Sequence, residues 1–375
     1  MKQAEVLIIG GGPAGLSAAI EAAKKGCQVT IVEANREAGG QLVKQTHKFF
    51  GSSQHHAGER GIDIVKTLIR QCGELGVEIM TDSVVAGIYD GKVIAVDHQL
   101  SLTEHEFIRI QAKKLIISTG ASENAVRFPG WTLPGVMGAG AVQTMCNVHH
   151  VLPGKKILMI GSGSVGLIVS YQMMQAGAEI VGIIEALPHI NGYAVHASKL
   201  TREGVPIYTG YTVKEAIGTD HVEKAVIAKV NPDWSLVPGS EITLDTDIIA
   251  IGAGLKPLTG MAYMAGCDFV FDKALGGWAP AHNKHMESTV DGVFVCGDTT
   301  GLEEASTAIE EGTLAGLGAA QSLGHVDEKT AEEENAAGWK RLNALRSGFK
   351  GEERVIAKNK QLREYEAYKG EEARA

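Results

Sequence analysis

Apolar and polar positions along the chain follow one pattern twice: an apolar run, a glycine-rich turn and an Ala-rich helix. EVLIIGGGPAGLSAAIEAAKKG opens the chain, and KKILMIGSGSVGLIVSYQMMQAG starts the second copy at Lys155. Each copy continues into an apolar run that ends in an acid, at Glu33 and Glu185. A later run ends in glycine, at Gly120 and Gly254. Repeats of this kind indicate duplicated structural units. The sequence therefore predicts an α/β protein with two domains built alike.

The segments around the repeats predict how the two domains share the chain. A helix over roughly 58–76 and alternating strands around IYDGKVIAVD extend the first unit, and the Asp90-Gly91 pair suits a hairpin turn. One more strand, GVFVCGD, and an Ala-rich helix follow the second unit, and we assign them to the first domain. The predicted boundaries are 1–122 and 253–325 for the first, discontinuous domain, 123–252 for the inserted domain, and 326–375 for a charged helical tail.

The tail is rich in Glu, Lys and Arg from about Val326 onward. Trp339, Leu342, Leu345 and Phe349 recur at helical spacing within it. Two hypotheses fit this apolar stripe. It is either a docking surface for another subunit or the face on which the helix packs against its own chain.

Composition narrows the function classes. The chain has 375 residues, of which 44% are hydrophobic, so it can bury two cores. A formal charge of -9 without a Lys/Arg-rich block argues against nucleic acid and against anionic membranes as partners. No apolar run reaches membrane-spanning length. The five scattered cysteines form no CxxC, and the N-terminus lacks signal-peptide features, so we expect a cytoplasmic protein.

The first glycine-rich turn has the spacing of a dinucleotide-binding site. It lies between an apolar strand and a helix, where backbone amides and the helix dipole would bind a diphosphate. Glu33 ends the next strand, where it could accept hydrogen bonds from ribose hydroxyls and would repel a 2′-phosphate. The turn residues that we expect at this nucleotide are Gly10, Gly12, Pro13, Ala14 and Gly15.

The second turn repeats this spacing and predicts a second nucleotide. The run EALPH, which begins with Glu185, lacks Arg and Lys, which favours NAD(H) over NADP(H). A duplicated domain can also keep its glycines while it loses its ligand or binds another adenine nucleotide. The residues that we expect at this second nucleotide are Gly161, Gly163, Gly166, Glu185 and Gly252.

Three further motifs accompany the first turn: Gly39-Gly40-Gln41, Ser118-Thr119-Gly120 and Gly297-Asp298. With them, the chain resembles the FAD and pyridine-nucleotide oxidoreductases of the thioredoxin reductase type from Val6 to about Leu323. The resemblance implies two Rossmann-like three-layer domains, the second inserted into the first, with FAD in the first.

The same resemblance implies roles for individual residues. Asp298 would meet the ribityl chain of FAD, and Gly40 and Gln41 would lie near the flavin. Val84 would meet the adenine. Thr119 and Gly120 would cross near the domain junction.

The segment ENAVRFPGWTLPGVMGAGAVQTM, Glu123 to Met145, is similar to the linker of the alpha-type subunits of sarcosine oxidase, proline dehydrogenase, hydrogen cyanide synthase and opine oxidase. This resemblance implies an oligomer with a second flavoprotein subunit that oxidises an amine or amino acid. It also allows FMN at a subunit interface and an iron-sulfur centre on a separate polypeptide, because this chain has no Cys-rich segment. Two alternatives remain: a largely structural nucleotide-holding subunit, and a self-contained NADH oxidase.

Two other segments contain reactive side chains without a definite role. The loop from Gln45 to Gly61 follows the Gly40-Gln41 motif and contains His47, Phe49, Phe50, His55, His56 and Arg60. Its aromatic rings and histidines are candidates for flavin contacts, although a solvated loop explains the pattern equally well. Cys146, His149 and His150 are too few for a convincing metal site, so we expect no metal. No catalytic side chain can be assigned.

Overall fold

The structure of the protein, a computed structural model, consists of two compact units. It describes residues 1–50, 52–348 and 351–372, without the side chains of 371 and 372. Unit 1 comprises Met1–Ser122 and Lys256–Ala375, and unit 2 comprises Glu123–Leu255. The second unit is inserted into the first. This confirms the predicted fold class.

The α-helices and strands alternate in two stretches, over residues 2–80 and 136–209. The helices are α1 Pro13–Lys24, α2 Gly61–Glu74, α3 Ala139–Asn147, α4 Ser164–Gln175, α5 Ala194–Arg202, α6 Gly260–Met264, α7 Ala305–Ser322, α8 Glu328–Leu345 and α9 Gly351–Glu372. The strands are β1 Lys2–Ile9, β2 Val29–Val32, β3 Glu78–Met80, β4 Ser83–Tyr89, β5 Val93–Gln99, β6 His105–Ile117, β7 Ala121–Glu123, β8 Val136–Gly138, β9 Lys156–Ile160, β10 Glu179–Glu185, β11 Ile207–Thr209, β12 Tyr211–Ile217, β13 Lys224–Lys229, β14 Ile242–Asp245, β15 Ile248–Ile251, β16 Leu255–Pro257, β17 Phe269–Asp272, β18 Gly277–Pro280 and β19 Val293–Val295.

Unit 1 is built on a sheet with the strand order β3-β2-β1-β6-β5-β4, in which β19 also pairs with β6. Strand β2 pairs in parallel with β1 and β3, β6 pairs in parallel with β1 and β19, and β4, β5 and β6 form an antiparallel meander. Val6 and Ile8 face one core with α1, α2 and α7, while Leu7 and Ile9 face a second core on the other side of the sheet. Because both faces are covered, β1 is a continuous apolar run.

Unit 2 repeats this plan on a smaller scale. Its parallel sheet has the order β11-β10-β9-β15-β8. Ile157 and Met159 face α3, α4 and α5, whereas Leu158 and Ile160 face the antiparallel sheet β12-β13-β14. The duplicated apolar pattern in the sequence therefore corresponds to duplicated three-layer packing.

The tail forms α8 and α9, which pack on unit 1. Leu342 is fully buried, and Trp339 packs against the core and donates its indole N–H to the Lys284 carbonyl at 2.8 Å. The hypothesis that this helix packs on its own chain is therefore correct for α8. Phe349 lies outside the described residues. Among the helices that the structure describes, none has the length and apolarity needed to cross a membrane.

Candidate dinucleotide sites

The first glycine-rich turn is closed so tightly that two of its positions accept only glycine. Gly10 has φ +102°, and a Cβ atom there would lie 2.5 Å from the Ser118 carbonyl oxygen. A Cβ atom at Gly15 would lie 1.9 Å from the Gly10 carbonyl oxygen. The strand β1 therefore turns directly into α1, and the start of the helix sits over the end of the sheet.

The start of α1 offers backbone donors and a positive dipole. Gly12 precedes Pro13 at the helix N-terminus, and no side chain caps the helix there. Glu33 is buried beside the turn, where its Oε2 accepts the Gly11 N–H at 2.7 Å and its Oε1 accepts the Asn35 backbone N–H at 2.8 Å. The Asn35 side-chain amide also donates to Oε1 at 2.7 Å, so about one of the roughly four lone-pair sites of the carboxylate remains for a ribose hydroxyl. This arrangement suits a diphosphate next to a ribose.

The Gly39-Gly40 motif lies directly against this turn. Gly39 donates its N–H to the Gly11 carbonyl at 2.7 Å, and a Cβ atom on Gly40 would lie 2.8 Å from the Gly12 Cα. Gln41, which follows, is exposed. Val84 lies on β4 and is 51% exposed, at a position that alternates with the buried residues of the strand. A role for Val84 at an adenine therefore stays a prediction.

The Gly297-Asp298 motif forms a short 3-10 turn, Gly297–Thr300, that meets the same helix start. A Cβ atom on Gly297 would lie 2.7 Å from the Ala14 Cβ, so this turn packs on the first turn of α1. Burial raises the pKa of the Asp298 carboxyl to about 6, and its Oδ1 accepts the Glu303 N–H at 3.3 Å. Asp298 is thus a half-buried acid within the first site.

Thr299, which the sequence analysis missed, ties two predicted motifs together. Its hydroxyl accepts the Gly120 N–H at 2.9 Å and lies 3.3 Å from the Thr119 hydroxyl. Thr119 also donates to the Leu258 carbonyl at 2.7 Å. Hydroxyl-bearing residues directly after Gly-Asp were the available signal. The uncapped start of α1, the Glu33 carboxylate and the half-buried Asp298 therefore share one region of unit 1, an arrangement that fits FAD.

The second turn reproduces the geometry of the first. Gly161 has φ +99°, and a Cβ atom there would lie 2.3 Å from the Gly252 carbonyl oxygen. A Cβ atom on Gly166 would lie 2.2 Å from the Gly161 carbonyl oxygen, whereas one on Gly163 would meet no protein atom within 4 Å. Helix α4 likewise starts without a side-chain cap.

Glu185 is buried where the first copy has Glu33. Its Oε2 accepts the Ser162 hydroxyl at 2.7 Å and the Ser162 N–H at 3.1 Å. Its Oε1 accepts the Leu187 N–H at 3.0 Å. The carboxylate is therefore oriented by its own turn before any ligand arrives.

Gly192 extends the repeat further than the sequence analysis predicted. It donates its N–H to the Ser162 carbonyl at 2.8 Å, which mirrors the bond from Gly39 to Gly11 in the first copy. A Cβ atom on Gly192 would lie 2.8 Å from the Ser164 amide nitrogen. The signal was a glycine at a similar distance after each strand-ending acid.

The His-rich loop from Gln45 to Gly61 is partly fixed by α7. His55 is buried and lies 3.0 Å through Nε2 from Glu310, while its Nδ1 lies 2.8 Å from the Ser52 hydroxyl. Phe49 packs against the core, and Phe50 is 65% exposed. His55 therefore has a structural partner, and no side chain of the loop acquires a definite catalytic role.

A buried ionic cluster below the Gly297–Thr300 turn also escaped the sequence analysis. Glu311 of α7 is bound by Arg346 and Lys358 of the tail at 2.6 and 2.8 Å, and each of these three side chains is 2% exposed. The signal was an adjacent pair of acids, Glu310-Glu311, in an otherwise Ala- and Gly-rich helix. Such acids need buried partners.

The cysteine thiols are poorly suited to redox chemistry in this structure. Burial raises the pKa of Cys27, Cys72 and Cys267 to about 11 each, and it raises that of Cys146 as well. Cys296 is fully buried in the core. Among the described residues, Glu5, Cys27 and His325 form one group whose ligand atoms lie within 4.8 Å of one another. Glu5 already accepts the Gln28 N–H and pairs with Lys113.

Two strand-turn-helix units, each with an acid beside its turn, define a dinucleotide-binding oxidoreductase. The chain belongs to the pyridine nucleotide-disulphide oxidoreductase family, whose model matches residues 4–312. It is an FAD-dependent oxidoreductase of this family, and the family binds FAD together with a pyridine nucleotide.

Similar proteins are components of larger enzymes. The opine oxidase A-type component of Rhizobium meliloti (strain 1021) is 28% identical over 352 residues, which cover 86% of this chain and 72% of that protein. Hydrogen cyanide synthase subunit HcnB of Pseudomonas aeruginosa is 26% identical, with coverages of 93% and 77%. The alpha subunit of sarcosine oxidase from Corynebacterium sp. (strain P-1) is 26% identical, and the match covers 85% of this chain but 33% of that protein. These relatives confirm the resemblance to the alpha-type subunits.

Solved structures confirm the fold. Thioredoxin reductase of T. acidophilum superposes with a TM-score of 0.69 at 21% identity and covers 86% of this chain and 99% of its own. L-proline dehydrogenase from P. horikoshii gives a TM-score of 0.68 at 20% identity, with coverages of 91% and 59%.

Proposed function

We propose that this chain is the FAD-binding electron-transfer subunit of an amine- or amino-acid-oxidising complex. In this role its flavin receives electrons from NAD(H) or from a partner flavoprotein subunit. It then passes them to an external acceptor. The similarity to components of opine oxidase, hydrogen cyanide synthase and sarcosine oxidase supports this proposal.

One observation carries the proposal: the acid-bearing turn Gly297–Thr300 packs on the first turn of α1. Backbone donors for a diphosphate and a carboxylate for a polyol chain then lie side by side. FAD needs both, whereas a nucleotide without a ribityl chain needs only the first.

The chain's own residues bind and orient the cofactor in this proposal. The α1 amides hold the diphosphate, Glu33 accepts hydrogen bonds from ribose hydroxyls, and Asp298 accepts them from the ribityl chain. FAD, when bound, supplies the two-electron chemistry, which is why no dedicated catalytic acid or base is needed.

The cysteines favour this role over disulfide reduction. A disulfide reductase of this architecture needs two neighbouring thiols, one of them readily ionised. The five cysteines lie at positions 27, 72, 146, 267 and 296, so no two are neighbours in sequence. Burial raises the pKa of Cys27, Cys72 and Cys267 to about 11, and it raises the pKa of Cys296 further. The electron acceptor is therefore external to this chain.

Unit 2 is proposed to hold NAD(H). A 2′-phosphate placed beside Glu185 would meet a buried carboxylate, and the residues that follow, ALPH, provide no Arg or Lys to offset it. We therefore expect NADH to act better than NADPH. FMN at a subunit interface and an iron-sulfur centre on another polypeptide remain part of the proposal for the whole complex.

The first test is an anaerobic absorbance titration of the purified chain with NADH and, separately, NADPH, after the released cofactor has been identified by mass. Dithionite serves as the control that the flavin is reducible. We expect FAD, with bleaching of its band near about 450 nm by NADH at lower concentrations than by NADPH.

The other outcomes select between the alternatives. If dithionite bleaches the FAD but NADH does not, the hydride route is overturned. The partner flavoprotein then remains as the electron donor. A colourless protein that retains only an adenine nucleotide would favour the structural, nucleotide-holding role. Rapid oxygen uptake by the isolated chain with NADH would favour a self-contained NADH oxidase.

A further inference from the structure

The tail places two buried cations below the turn that carries Asp298. Arg346 follows α8 and Lys358 lies in α9, and both residues fall beyond the family match, which ends at residue 312. Their side chains are 2% exposed. Long cationic side chains are rarely buried this completely unless they are paired, so the contacts that hold them need an explanation.

Glu311 connects these cations to the turn. Its Oε1 accepts hydrogen bonds from Arg346 and Lys358, while its Oε2 accepts the Gly297 N–H at 3.0 Å and the Thr300 hydroxyl at 2.8 Å. Gly297 and Thr300 are the first and last residues of the 3-10 turn. One carboxylate therefore fixes both ends of the turn between which Asp298 lies.

Lys358 also binds the turn directly. Its Nζ donates to the Thr300 carbonyl at 3.0 Å and to the Thr300 hydroxyl at 2.7 Å. Gln361, one helical turn later, donates to the same carbonyl at 2.9 Å. The last residue of the turn thus depends on α9 for most of its polar contacts.

Apart from Asp298, the cluster is balanced in charge. Arg346 pairs with Glu303 as well as with Glu311, so two cations face two carboxylates. Buried ion pairs add little stability compared with apolar packing, but removal of one partner leaves an uncompensated charge. We therefore expect the cluster to fix the position of the Gly297–Thr300 turn more than to raise the free energy of unfolding.

We propose that Glu311, Arg346 and Lys358 are positioning residues, which hold the Gly297–Thr300 turn so that the Asp298 carboxylate meets the ribityl chain of FAD. The inference rests on the proposed function, because it requires FAD in unit 1. Through these residues, the tail becomes part of the flavin site.

Lys358→Met tests the inference, because it keeps the aliphatic length and removes the charge. Lys360→Met is the matched control: it lies on the same helix, and Lys360 donates to the Phe271 carbonyl, away from the turn. FAD and ADP affinities are measured by reconstitution of the FAD-free protein, ADP being a ligand of the α1 turn that does not reach Asp298. We expect Lys358→Met to weaken FAD binding by about 10- to 100-fold, with ADP binding unchanged.

A double-mutant cycle with Asp298→Asn separates positioning from general destabilisation. If Lys358 acts through Asp298, Lys358→Met has little further effect on FAD affinity in the Asp298→Asn background. Lys358→Arg, which keeps the charge, should recover part of the lost affinity.

The pH dependence of FAD affinity gives a second readout. The charged groups that face Asp298 are Lys358, which lowers the pKa of its carboxyl, and Glu311 and Glu303, which raise it. Loss of Lys358 should therefore shift the acid limb of FAD affinity to higher pH. Lys360→Met should leave it in place.

The outcomes separate the two proposals. Wild-type protein that binds ADP but not FAD would overturn the proposed function itself. Wild-type protein that binds FAD, with equal FAD affinity in Lys358→Met and Lys360→Met, would overturn only the positioning role. Equal losses of FAD and ADP affinity in Lys358→Met would assign the cluster a general structural role and also overturn it.

Discussion

Substitution of Gly163 can test the proposed nucleotide site of unit 2 without disturbing the fold. Its backbone is extended, with φ -64° and ψ 169°, and a Cβ atom there would meet no protein atom within 4 Å. An added side chain would therefore enter the open space at the start of α4, where the proposed nucleotide would place its diphosphate. A methyl group at this position should block the ligand without disturbing the protein.

We expect Gly163→Ala to change the free energy of unfolding by no more than about 0.5 kcal/mol and to abolish flavin bleaching by NADH. Stability is measured by urea denaturation and bleaching by the anaerobic titration. Gly161→Ala is the opposite control, because its φ of +99° and the nearby Gly252 carbonyl make it destabilising. Unchanged NADH reduction in Gly163→Ala would show that hydride does not enter through unit 2.

Asp298 should show a conflict between stability and cofactor binding. Burial raises the pKa of its carboxyl from 3.8 to about 6. The folded protein thus binds the carboxyl proton of Asp298 more tightly than the unfolded chain does. The contribution of Asp298 to the free energy of unfolding therefore falls as the pH rises from about 4 to about 6. Above that range, the folded protein contains a costly half-buried carboxylate.

Asp298→Asn should therefore stabilise the FAD-free protein at pH 8 while it weakens FAD binding. The gain should shrink as the pH falls below about 6 and vanish near about 4, because the wild-type carboxyl is then protonated as well. Urea denaturation of both FAD-free proteins across this pH range measures it. A gain of the same size at every pH would mean that the carboxyl's ionisation is not the cause.

At the scale of elements, the packing of α1 on α7 sets the shape of the first site. A Cβ atom on Gly312 would lie 2.1 Å from the Ala14 carbonyl oxygen, and one on Gly316 would lie 2.3 Å from the Ala18 carbonyl oxygen. The two helices therefore touch backbone to backbone, which brings Glu311 and the Gly297–Thr300 turn against the start of α1.

We expect Gly316→Ala to cost about 1 to 3 kcal/mol of unfolding free energy, because the backbone of α1 must move away. The shift should also lower FAD affinity, as the helix start moves relative to Asp298. Gly73→Ala in α2 is the control, since nothing lies within 4 Å of its Cβ, and helix propensity favours alanine by roughly 0.5–1 kcal/mol. Equal stabilities of the two variants would contradict close helix contact.

The sequence was sufficient for elements whose signal is local. Apolar runs, glycine spacing and strand-ending acids lie within a few residues of one another, so both strand-turn-helix units could be predicted, as could the hairpin at Asp90-Gly91 and the helical tail. The roles of Glu33, Asp298 and Glu185 at a nucleotide stay predictions, which the proposed titrations test.

The contacts between distant segments could not be predicted. Lys358 lies in a tail rich in Glu, Lys and Arg, where a lysine is usually solvated. Its burial depends on Glu311, and nothing in the spacing of the two residues relates them. Thr299 follows the Gly-Asp motif, but its partner is distant in sequence: its hydroxyl accepts the Gly120 N–H beyond the end of the neighbouring strand β6.

At the scale of the whole molecule, the chain is similar to subunits of larger enzymes, and its own fold repeats one strand-turn-helix framework in its two units. The duplication would allow one chain to bind FAD and a second nucleotide, as we propose. It also allows the two units to be compared directly. Gly12 and Gly163 occupy equivalent positions at the starts of α1 and α4, so the same substitution can be tested in both units on a similar backbone.

The discontinuity of unit 1 has a consequence for biosynthesis. During translation, unit 2 is complete before β19 and α7 have been made, so β6 must wait with one edge of its terminal residues unpaired. An open strand edge is prone to association with other chains. The ribosome-bound intermediate would thus expose a strand edge that the complete fold covers, and FAD would bind with full affinity only after Lys358 has left the ribosome.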